Sequence, residues 1–363
     1  MTRFARHLDH HPIVNPFPGI VNLETALGRP ITARIGSNES IPMPAPALLQ
    51  LFGAAATELA RLYPDPYAHA LRERAAALNH VKPAEVLFDT GADSLILLTL
   101  RLFGNVGDTV VASAGTYPTF RYFAEGCGLH VDEVPYRTGE GLLEPDLGAL
   151  AARAHELRAP LVYLANPDNP GGHYYRAAEI ATLRAALPVD TVLLLDEAYV
   201  DFCTDPADAP PHGVLPNTVR LRTLSKAYAL AGLRVGYAIA SADIVAKADQ
   251  IRPQYALSAL AQAAAQALFD TPDYARDLVD ETLALREKLA AALRAHGRAP
   301  LPSHTNFVAL AYPDAAAAER IQRSLLADGV AVHRPPHPAL KHLLRVTAHP
   351  QALDPAVLAA LAG

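Results

Sequence analysis

Two kinds of hydrophobic spacing alternate along the chain. Short apolar runs of three to five residues are followed by stretches in which apolar residues recur every three or four positions. Residues 192–195 contain no polar position, which is typical of a strand buried on both faces. The alternation therefore predicts an α/β fold with a mostly parallel sheet covered by helices. The predicted strands are residues 86–88, 109–112, 161–164, 192–195, 219–222 and 235–239.

The two ends of the chain differ from the middle in composition and in the spacing of apolar residues. The first 45 residues are rich in Pro, Asn and Gly, which predicts an arm with one short strand at 31–35. Helical spacing follows at 46–62 and at about 68–78, and the Tyr-Pro-Asp-Pro sequence between these segments separates two helices. The elements predicted beyond residue 253 are helices at 259–269, 272–296 and 315–326 and strands at 306–310, 330–333 and 343–346.

These differences in composition and spacing predict the domain boundaries. A length of 363 residues favours about two domains. We predict a large domain at 46–252 and a smaller C-terminal α+β domain at 253–363. Residues 1–45 are predicted to form an N-terminal arm that contributes to the small domain.

Composition narrows the possible functions. A hydrophobic content of 51% argues for a buried core, and a net charge of −6 lacks the basic surplus of nucleic-acid-binding proteins. No apolar run reaches the roughly 18 residues of a membrane span, and no apolar segment at the N-terminus suggests a signal peptide. Two cysteines 76 positions apart predict reduced thiols and a cytoplasmic protein. The 15 histidines form no HExxH motif, so we expect no metal site.

Polar residues follow several of the predicted strands. In an open α/β sheet, ligands bind beyond the carboxyl ends of the strands. Asn166, Asp196 and Lys226 lie in such positions, and they are separated by 30 residues each, which suits one crossover per interval. The turn at 89–94 opens a helix whose N-terminus could face an anion. We therefore expect these groups to meet at one edge of the sheet.

One stretch carries a family resemblance. Arg222-Thr-Leu-Ser-Lys-Ala-Tyr-Ala-Leu-Ala-Gly-Leu-Arg-Val-Gly-Tyr237 resembles the lysine signature of the histidinol-phosphate aminotransferases, which are fold-type I pyridoxal-phosphate enzymes. Five motifs in the family's order extend the resemblance from about Asn38 to Thr347. The resemblance implies a large domain with a helix-sandwiched sheet, a smaller α+β domain, bound pyridoxal 5'-phosphate, and a homodimer with shared active sites.

The resemblance also implies roles for residues around the cofactor. Lys226 would form the Schiff base and shuttle a proton. Asp196 would pair with the pyridinium nitrogen and make the ring an electron sink. Asn166 and Tyr199 would hydrogen-bond the ring phenolate oxygen, and Tyr117 would stack on the ring. The residues assigned to the cofactor phosphate are Gly91, Ala92, Asp93, Thr223, Ser225, Arg234 and, reaching into the neighbouring protomer's site, Tyr63.

The substrate residues follow the family less closely. Arg345 resembles the arginine that binds the substrate carboxylate, and Arg334 resembles one that contacts a phosphate or carboxylate. Asn38 and Tyr255 match positions near the substrate. Phe17 stands where the subfamily often has a tyrosine that holds the substrate phosphate. A lost hydrogen bond to a charged group costs roughly 1.5–3 kcal/mol, which is enough to change the preferred donor.

A further departure lies in the Asn-Pro-Thr-Gly motif of the family. This motif reads Asn169-Pro-Gly-Gly172 in the chain, so a glycine stands in place of the threonine.

The implied reaction is transamination between L-histidinol phosphate and 2-oxoglutarate, a step of histidine biosynthesis, by a ping-pong route. One alternative is the same chemistry on an aromatic or other amino acid, in a pocket that Phe17 and Tyr255 would line. Another is decarboxylation of a phosphorylated amino acid. A regulatory protein on the same fold is disfavoured, because the motifs span nearly the whole chain and leave no segment for a DNA-binding module.

Overall fold

A seven-stranded sheet lies at the centre of the computed structural model, which describes residues 5–8, 13–17 and 19–363. The strands of the described chain are β1 Ala33–Arg34, β2 Val86–Asp89, β3 Thr109–Ser113, β4 His130–Val134, β5 Arg137–Gly139, β6 Leu142–Glu144, β7 Leu161–Ala165, β8 Val192–Asp196, β9 Thr218–Thr223, β10 Gly236–Ile239, β11 Phe307–Ala311, β12 Val330–Ala331 and β13 Leu343–Thr347.

Helices account for most of the remaining regular structure. They are α1 Ile20–Leu27, α2 Pro46–Leu51, α3 Ala54–Arg61, α4 His69–Asn79, α5 Gly91–Phe103, α6 Pro118–Gly126, α7 Leu147–Leu157, α8 Ala177–Ala186, α9 Ala242–Asp249, α10 Ala259–Phe269, α11 Pro272–Ala295, α12 Ala315–Ala327 and α13 Pro355–Ala362. In the described part of the chain, no helix is both long and apolar enough to cross a membrane.

The central sheet has the order β2-β10-β9-β8-β7-β3-β4. Strands β3, β4, β7, β8 and β9 are parallel, whereas β10 runs antiparallel to both β2 and β9. The predicted α/β class and mostly parallel sheet are therefore confirmed.

Both faces of this sheet are covered by helices. Leu194 of β8 packs in a core with residues of α5, α6 and α9, whereas its neighbours Leu193 and Leu195 pack with α7 and α8 on the opposite face. Successive side chains of a strand point to opposite faces. Both faces of β8 are buried, so this strand is apolar up to its last residue, Asp196.

The edge strand β4 was not predicted. Its sequence, His130-Val-Asp-Glu-Val134, alternates polar and apolar residues and has no continuous apolar run. As an edge strand it has one neighbour in the sheet, β3, and most of its side chains are partly exposed. The predicted helix at 46–62 is also wrong in detail, because the chain leaves the helical conformation at Gly53 between α2 and α3.

The C-terminal region has a core of its own. Strands β11 and β13 form an antiparallel pair, and Val308 and Leu344 pack with Leu289 of α11. Strand β1 of the arm pairs with β12, and Ala33 and Ile35 enter the same core. The division into domains at residues 46 and 253 remains a prediction. This separate core supports a C-terminal unit, whereas α10, which the prediction assigns to that unit, packs with β2 and β10 of the central sheet.

Candidate active site

A cavity of about 600 Å³ lies at the carboxyl ends of β7, β8 and β9. Ala165 and Asp196 are register partners at the ends of adjacent parallel strands, so the residues that follow these strands emerge side by side. The predicted site residues that line the cavity are Phe17, Ala92, Asp93, Tyr117, Asp196, Tyr199, Thr223, Ser225, Lys226, Arg234, Arg334 and Arg345.

The amine of Lys226 is oriented by the N-terminal segment. Its Nζ donates to the carbonyl oxygen of Asn38 at 2.9 Å and lies 5.7 Å from the ring centroid of Tyr199. The Asn38 side chain donates to the Tyr199 hydroxyl at 2.9 Å. Asn38 does not itself line the cavity, but it bonds to two residues that do. It therefore fixes the amine relative to the phenol.

Asn38 is held in turn by two residues that the sequence analysis missed. Its φ of 53° lies in the left-handed region, which asparagine tolerates better than most residues. The Thr347 hydroxyl donates to the Asn38 side-chain oxygen at 3.0 Å, and Asn306 Nδ2 donates to the Asn38 carbonyl at 3.2 Å. Both partners are buried. Their only signal in the sequence is a polar residue at the edge of an apolar run.

Asp196 is a buried carboxylate whose hydrogen-bond donors are neutral. It accepts hydrogen bonds from the Tyr163 hydroxyl at 2.8 Å and from the Ala198 amide at 3.1 Å. Burial raises the pKa of Asp196 from the ordinary 3.8 to about 6. Within the described ranges, no Lys, Arg or His side chain pairs with this carboxylate. The site is therefore suited to a cationic group of a ligand.

The raised pKa predicts how stability depends on pH. A carboxyl whose pKa is higher in the folded chain destabilises the fold as it ionises, so this contribution to the free energy of unfolding falls between about pH 4 and pH 6. The free energy of unfolding of cofactor-free Asp196→Asn is expected to equal that of the wild type near pH 4. Above pH 6 it is expected to be higher than that of the wild type by roughly 3 kcal/mol. Urea unfolding across this range measures the difference, and a difference independent of pH would contradict the prediction.

Arg234, Ser225 and the start of α5 form a polar corner of the cavity. Arg234 approaches Ser225 Oγ at 3.4 Å and Asp93 Oδ2 at 3.3 Å, and Thr223 Oγ1 donates to Ser225 Oγ at 2.9 Å. Helix α5 begins at Gly91, so the free amides of its first turn add partial positive charge. Gly91 has a φ of +78°, and a Cβ there would lie 2.8 Å from Arg234 Nη2. This corner suits a phosphate.

Tyr117 forms one wall of the cavity beside this corner. Its hydroxyl donates to Asp93 Oδ1 at 2.9 Å, and burial together with the Asp93 charge raises the pKa of the phenol well above its ordinary value. The ring of Phe17 lies 6.1 Å from that of Tyr117 and also 6.1 Å from the imidazole of His333. Burial lowers the pKa of His333, a lining residue that the sequence analysis missed, so this imidazole is neutral at pH 7.

Arg345 supplies a buried positive charge with neutral partners. Its Nη1 donates to Asn169 Oδ1 at 2.6 Å and its Nη2 donates to the Gly36 carbonyl at 2.8 Å. Its Nε is buried and has no hydrogen-bond partner among the described residues. Burial lowers the pKa of the guanidinium. A buried cation that is not neutralised by the protein favours binding of an anion. The other arginine is Arg334, whose Nε donates to Gln322 Oε1 at 2.9 Å.

The predicted role of Asn166 requires a correction. Its side chain makes two hydrogen bonds with the backbone of Tyr175. Nδ2 donates to the Tyr175 carbonyl at 2.8 Å, and Oδ1 accepts from the Tyr175 amide at 2.7 Å. Asn166 does not line the cavity, whereas Asn169 does. The amide available to a ligand is therefore that of Asn169. Asn166 is the asparagine nearer the strand end, but the turn that follows brings Asn169, three residues later, to the cavity.

Tyr63 and Tyr255, like Asn38, Gly91 and Asn166, are predicted site residues that do not line the cavity. Tyr63 and Tyr255 stack on each other at the surface, with ring centroids 4.8 Å apart and exposed fractions of 84% and 47%. Tyr255 does not line the cavity of its own chain, and its place near a substrate remains a prediction. The exposure of Tyr63 leaves it available to a neighbouring protomer. Among the described residues, no group of three or more His, Cys, Asp or Glu side chains is arranged to hold a metal ion.

Comparison with known proteins agrees with this geometry. Residues 35–361 match the family described as Aminotransferase class I and II. The chain is 36% identical over 330 residues to a histidinol-phosphate aminotransferase of Anaeromyxobacter sp., with 88% of each chain covered. It is 34% identical to histidinol-phosphate aminotransferase 2 of Caulobacter vibrioides, over 91% of this chain and 85% of that one. The crystal structure of histidinol-phosphate aminotransferase from Sinorhizobium meliloti in complex with pyridoxal-5'-phosphate superposes with a TM-score of 0.90 at 36% identity, and covers 100% of this chain and 96% of that one.

Proposed function

We propose the reaction of this protein from one premise: the chain belongs to the aminotransferase class I and II family. The protein transfers the amino group of L-histidinol phosphate to 2-oxoglutarate, giving imidazole acetol phosphate and L-glutamate, a step of histidine biosynthesis. One observation carries the proposal: the Lys226 amine, the Asp196 carboxylate and the Arg345 guanidinium all open into the same cavity.

The residues of the cavity fit pyridoxal 5'-phosphate. Lys226 would hold it covalently, and the unpaired buried Asp196 would meet the protonated ring nitrogen. The corner formed by Arg234, Ser225 and the start of α5 would hold the phosphate. When bound, this cofactor supplies the electron sink that lets the substrate's Cα–H bond ionise. Tyr117 forms the wall against which its ring would lie, and Asn169 and Tyr199 would hydrogen-bond the ring oxygen.

The chain's own residues then bind the substrate and move its proton. The Lys226 amine would take the proton from the substrate carbon that bears the amino group and, because the ketone product keeps no hydrogen there, would pass it to C4′ of the cofactor. The Asn38 carbonyl, 2.9 Å from Nζ, orients the amine, and the Tyr199 hydroxyl is itself oriented by Asn38. The rings of Phe17 and Tyr117 line this part of the cavity and help to exclude water from it.

The same arginine would serve both substrates. L-Histidinol phosphate has no carboxylate, and its phosphate is its only anionic group, whereas 2-oxoglutarate has two carboxylates. The planar fork of a guanidinium pairs with two oxygens of either group. Arg345 offers its charge without a carboxylate partner in the described chain, so it is the main anion receptor, and Arg334 is the second.

A half-reaction tests this proposal against its alternatives. The cofactor-loaded protein is mixed with one amino donor and no oxo acid, and the visible band of the covalently bound cofactor is followed. Loss of the band at micromolar L-histidinol phosphate supports the proposal. Conversion by phenylalanine or tyrosine alone would favour an aromatic amino acid as the donor, in a pocket where Phe17 lacks a phosphate-binding hydroxyl. Carbon dioxide release from a phosphorylated amino acid would favour decarboxylation.

A homodimer with shared sites is part of the proposal. Four exposed apolar side chains lie close in sequence at the ends of α2 and α3, which favours association; they are Leu49, Phe52, Leu62 and Tyr63. Tyr63 would reach the cofactor phosphate of the neighbouring protomer. A light-scattering mass of about 38.7 kDa, that of one chain, would contradict the dimer. The biosynthetic role and the two unpaired cysteines support a cytoplasmic location.

A further inference from the structure

A second buried carboxylate lies just behind the cavity wall. Asp168 is 1% exposed, and its Oδ1 accepts from the Tyr136 hydroxyl at 2.9 Å while its Oδ2 accepts from the Gly171 amide at 2.7 Å. Burial raises the pKa of this carboxyl to about 7 despite these donors. No basic side chain pairs with it in the described residues. Burying an acid without a basic partner costs free energy of folding, so a role for its hydrogen bonds is expected.

Asp168 closes the turn that presents Asn169 to the cavity. Its amide donates to the His173 carbonyl at 2.7 Å, and its carbonyl accepts from the Gly172 amide at 3.0 Å. A Cβ at position 171 would lie 2.7 Å from Asp168 Oδ2 and 3.0 Å from the Leu143 carbonyl oxygen. The carboxylate thus occupies the space that the threonine of the family motif would need. Asp168 and Gly171 are therefore matched to each other.

The turn is held by hydrogen bonds to two other parts of the chain. Asn169 Oδ1 accepts from Arg345 Nη1 at 2.6 Å, and Arg345 lies on β13 in the C-terminal region. Tyr136, the other partner of Asp168, packs in an apolar cluster with Leu143, Leu301, Leu340 and Leu343. A continuous chain of contacts therefore runs from this cluster through Tyr136, Asp168 and Asn169 to Arg345.

We propose that Asp168 is a positioning residue for substrate binding: through Gly171 and Tyr136 it fixes Asn169, and Asn169 fixes the Arg345 guanidinium for the substrate anion. Arg345 keeps one further hydrogen bond, to the Gly36 carbonyl, and its guanidinium lies 5.2 Å from the ring centroid of Phe307, so loss of the Asn169 contact removes one of two hydrogen bonds that orient it. The inference rests on the proposed function in that Arg345 must bind the anion. Asp168 touches neither the substrate nor the reacting atoms, so it acts on affinity rather than on the proton transfer.

Binding of succinate, a dicarboxylate with neither an amino nor an oxo group, tests this role in the cofactor-loaded protein by isothermal titration. Asp168→Ala is expected to raise the Kd of succinate about tenfold, the size of one lost hydrogen bond to a charged group, while kcat at saturating substrate falls less than about threefold. Asp168→Asn keeps an oxygen for the Gly171 amide and is expected to stay within about threefold of the wild-type Kd.

A pair of tyrosine variants separates positioning from stability. Tyr136→Phe removes a donor to Asp168 and is expected to weaken succinate binding about threefold. Tyr312→Phe is the matched control, because Tyr312 is also a buried tyrosine but its hydroxyl donates to the Leu361 carbonyl, away from the cavity. This control is expected to lower the melting temperature and leave the Kd unchanged.

The outcomes separate failure of the proposed function from failure of the positioning role. A wild-type protein that fails the half-reaction would overturn the proposed function. If the wild type reacts but Asp168→Ala binds succinate as tightly as the wild type, the positioning role is wrong. If Asp168→Ala does not fold, Tyr136→Phe decides, and an unchanged Kd in that variant overturns the inference.

Discussion

Lys226→Ala is expected to lower kcat by roughly 10⁴-fold, the upper end of what a positioned general base contributes, and to abolish covalent attachment of the cofactor. The Nζ of Lys226 is held 2.9 Å from the Asn38 carbonyl and faces the cavity. No other lysine lines the cavity in the described part of the chain, so no second amine can replace it. The rate is measured under single-turnover conditions, and borohydride reduction followed by peptide mass analysis locates the attached cofactor.

Two further variants make this result specific. Lys226→Arg keeps a positive charge, but a guanidinium does not give up its proton, so kcat should be as low as in the alanine variant. Lys247→Ala removes an exposed lysine that bonds to Gln250, and it should behave as the wild type. A Lys226→Ala protein that retains a tenth of the wild-type kcat, or still carries cofactor after reduction, would remove Lys226 from the mechanism.

Arg345→Ala is expected to lower kcat/KM by roughly 10³-fold for both substrates, because truncating one partner of a buried, hydrogen-bonded charge pair costs several kcal/mol. Among the described residues, the Arg345 guanidinium hydrogen-bonds only to the neutral groups of Asn169 and Gly36. The substrate phosphate or carboxylate would supply the missing negative charge. The loss should therefore appear both with L-histidinol phosphate and with 2-oxoglutarate, and steady-state kinetics with each substrate varied in turn measure it.

Conservative and remote variants separate charge from geometry. Arg345→Lys keeps the charge but not the two-pronged fork, so it should recover part of the lost kcat/KM. Arg286→Ala is the matched control, since Arg286 is largely buried and donates to the Thr305 carbonyl but does not line the cavity. An Arg345→Ala effect confined to one substrate would show that the two anions use different receptors.

The pattern of residues was enough to predict most of the fold. The apolar runs that became β7 and β8 are buried on both faces, and burial of that kind demands uninterrupted apolar sequence. Strand β4 escaped prediction because an edge strand keeps polar residues on its exposed positions. The break between α2 and α3 was missed because one glycine does not interrupt the helical spacing of the apolar residues around it.

Candidate chemistry was predictable where a functional residue directly follows a strand. Asp196 and Lys226 emerge at the carboxyl edge because neighbouring parallel strands end together, and each position can be read from the chain alone. Their motifs also carried the family resemblance. The resemblance could not distinguish between the two asparagines of the same loop, so Asn166 was chosen in place of Asn169.

The tertiary structure alone decided which groups share a hydrogen bond across long separations. Asn38 meets Lys226 and Thr347, and Asn169 meets Arg345, although these partners lie 176 or more positions apart. No local periodicity encodes such pairs, because they depend on how the C-terminal core packs against the central sheet. The sequence by itself determined the layered sheet and the strand-end acid and amine. Packing decided that Asn169 lines the cavity, that Tyr63 and Tyr255 lie at the surface, and that Asp168 is buried next to Asn169.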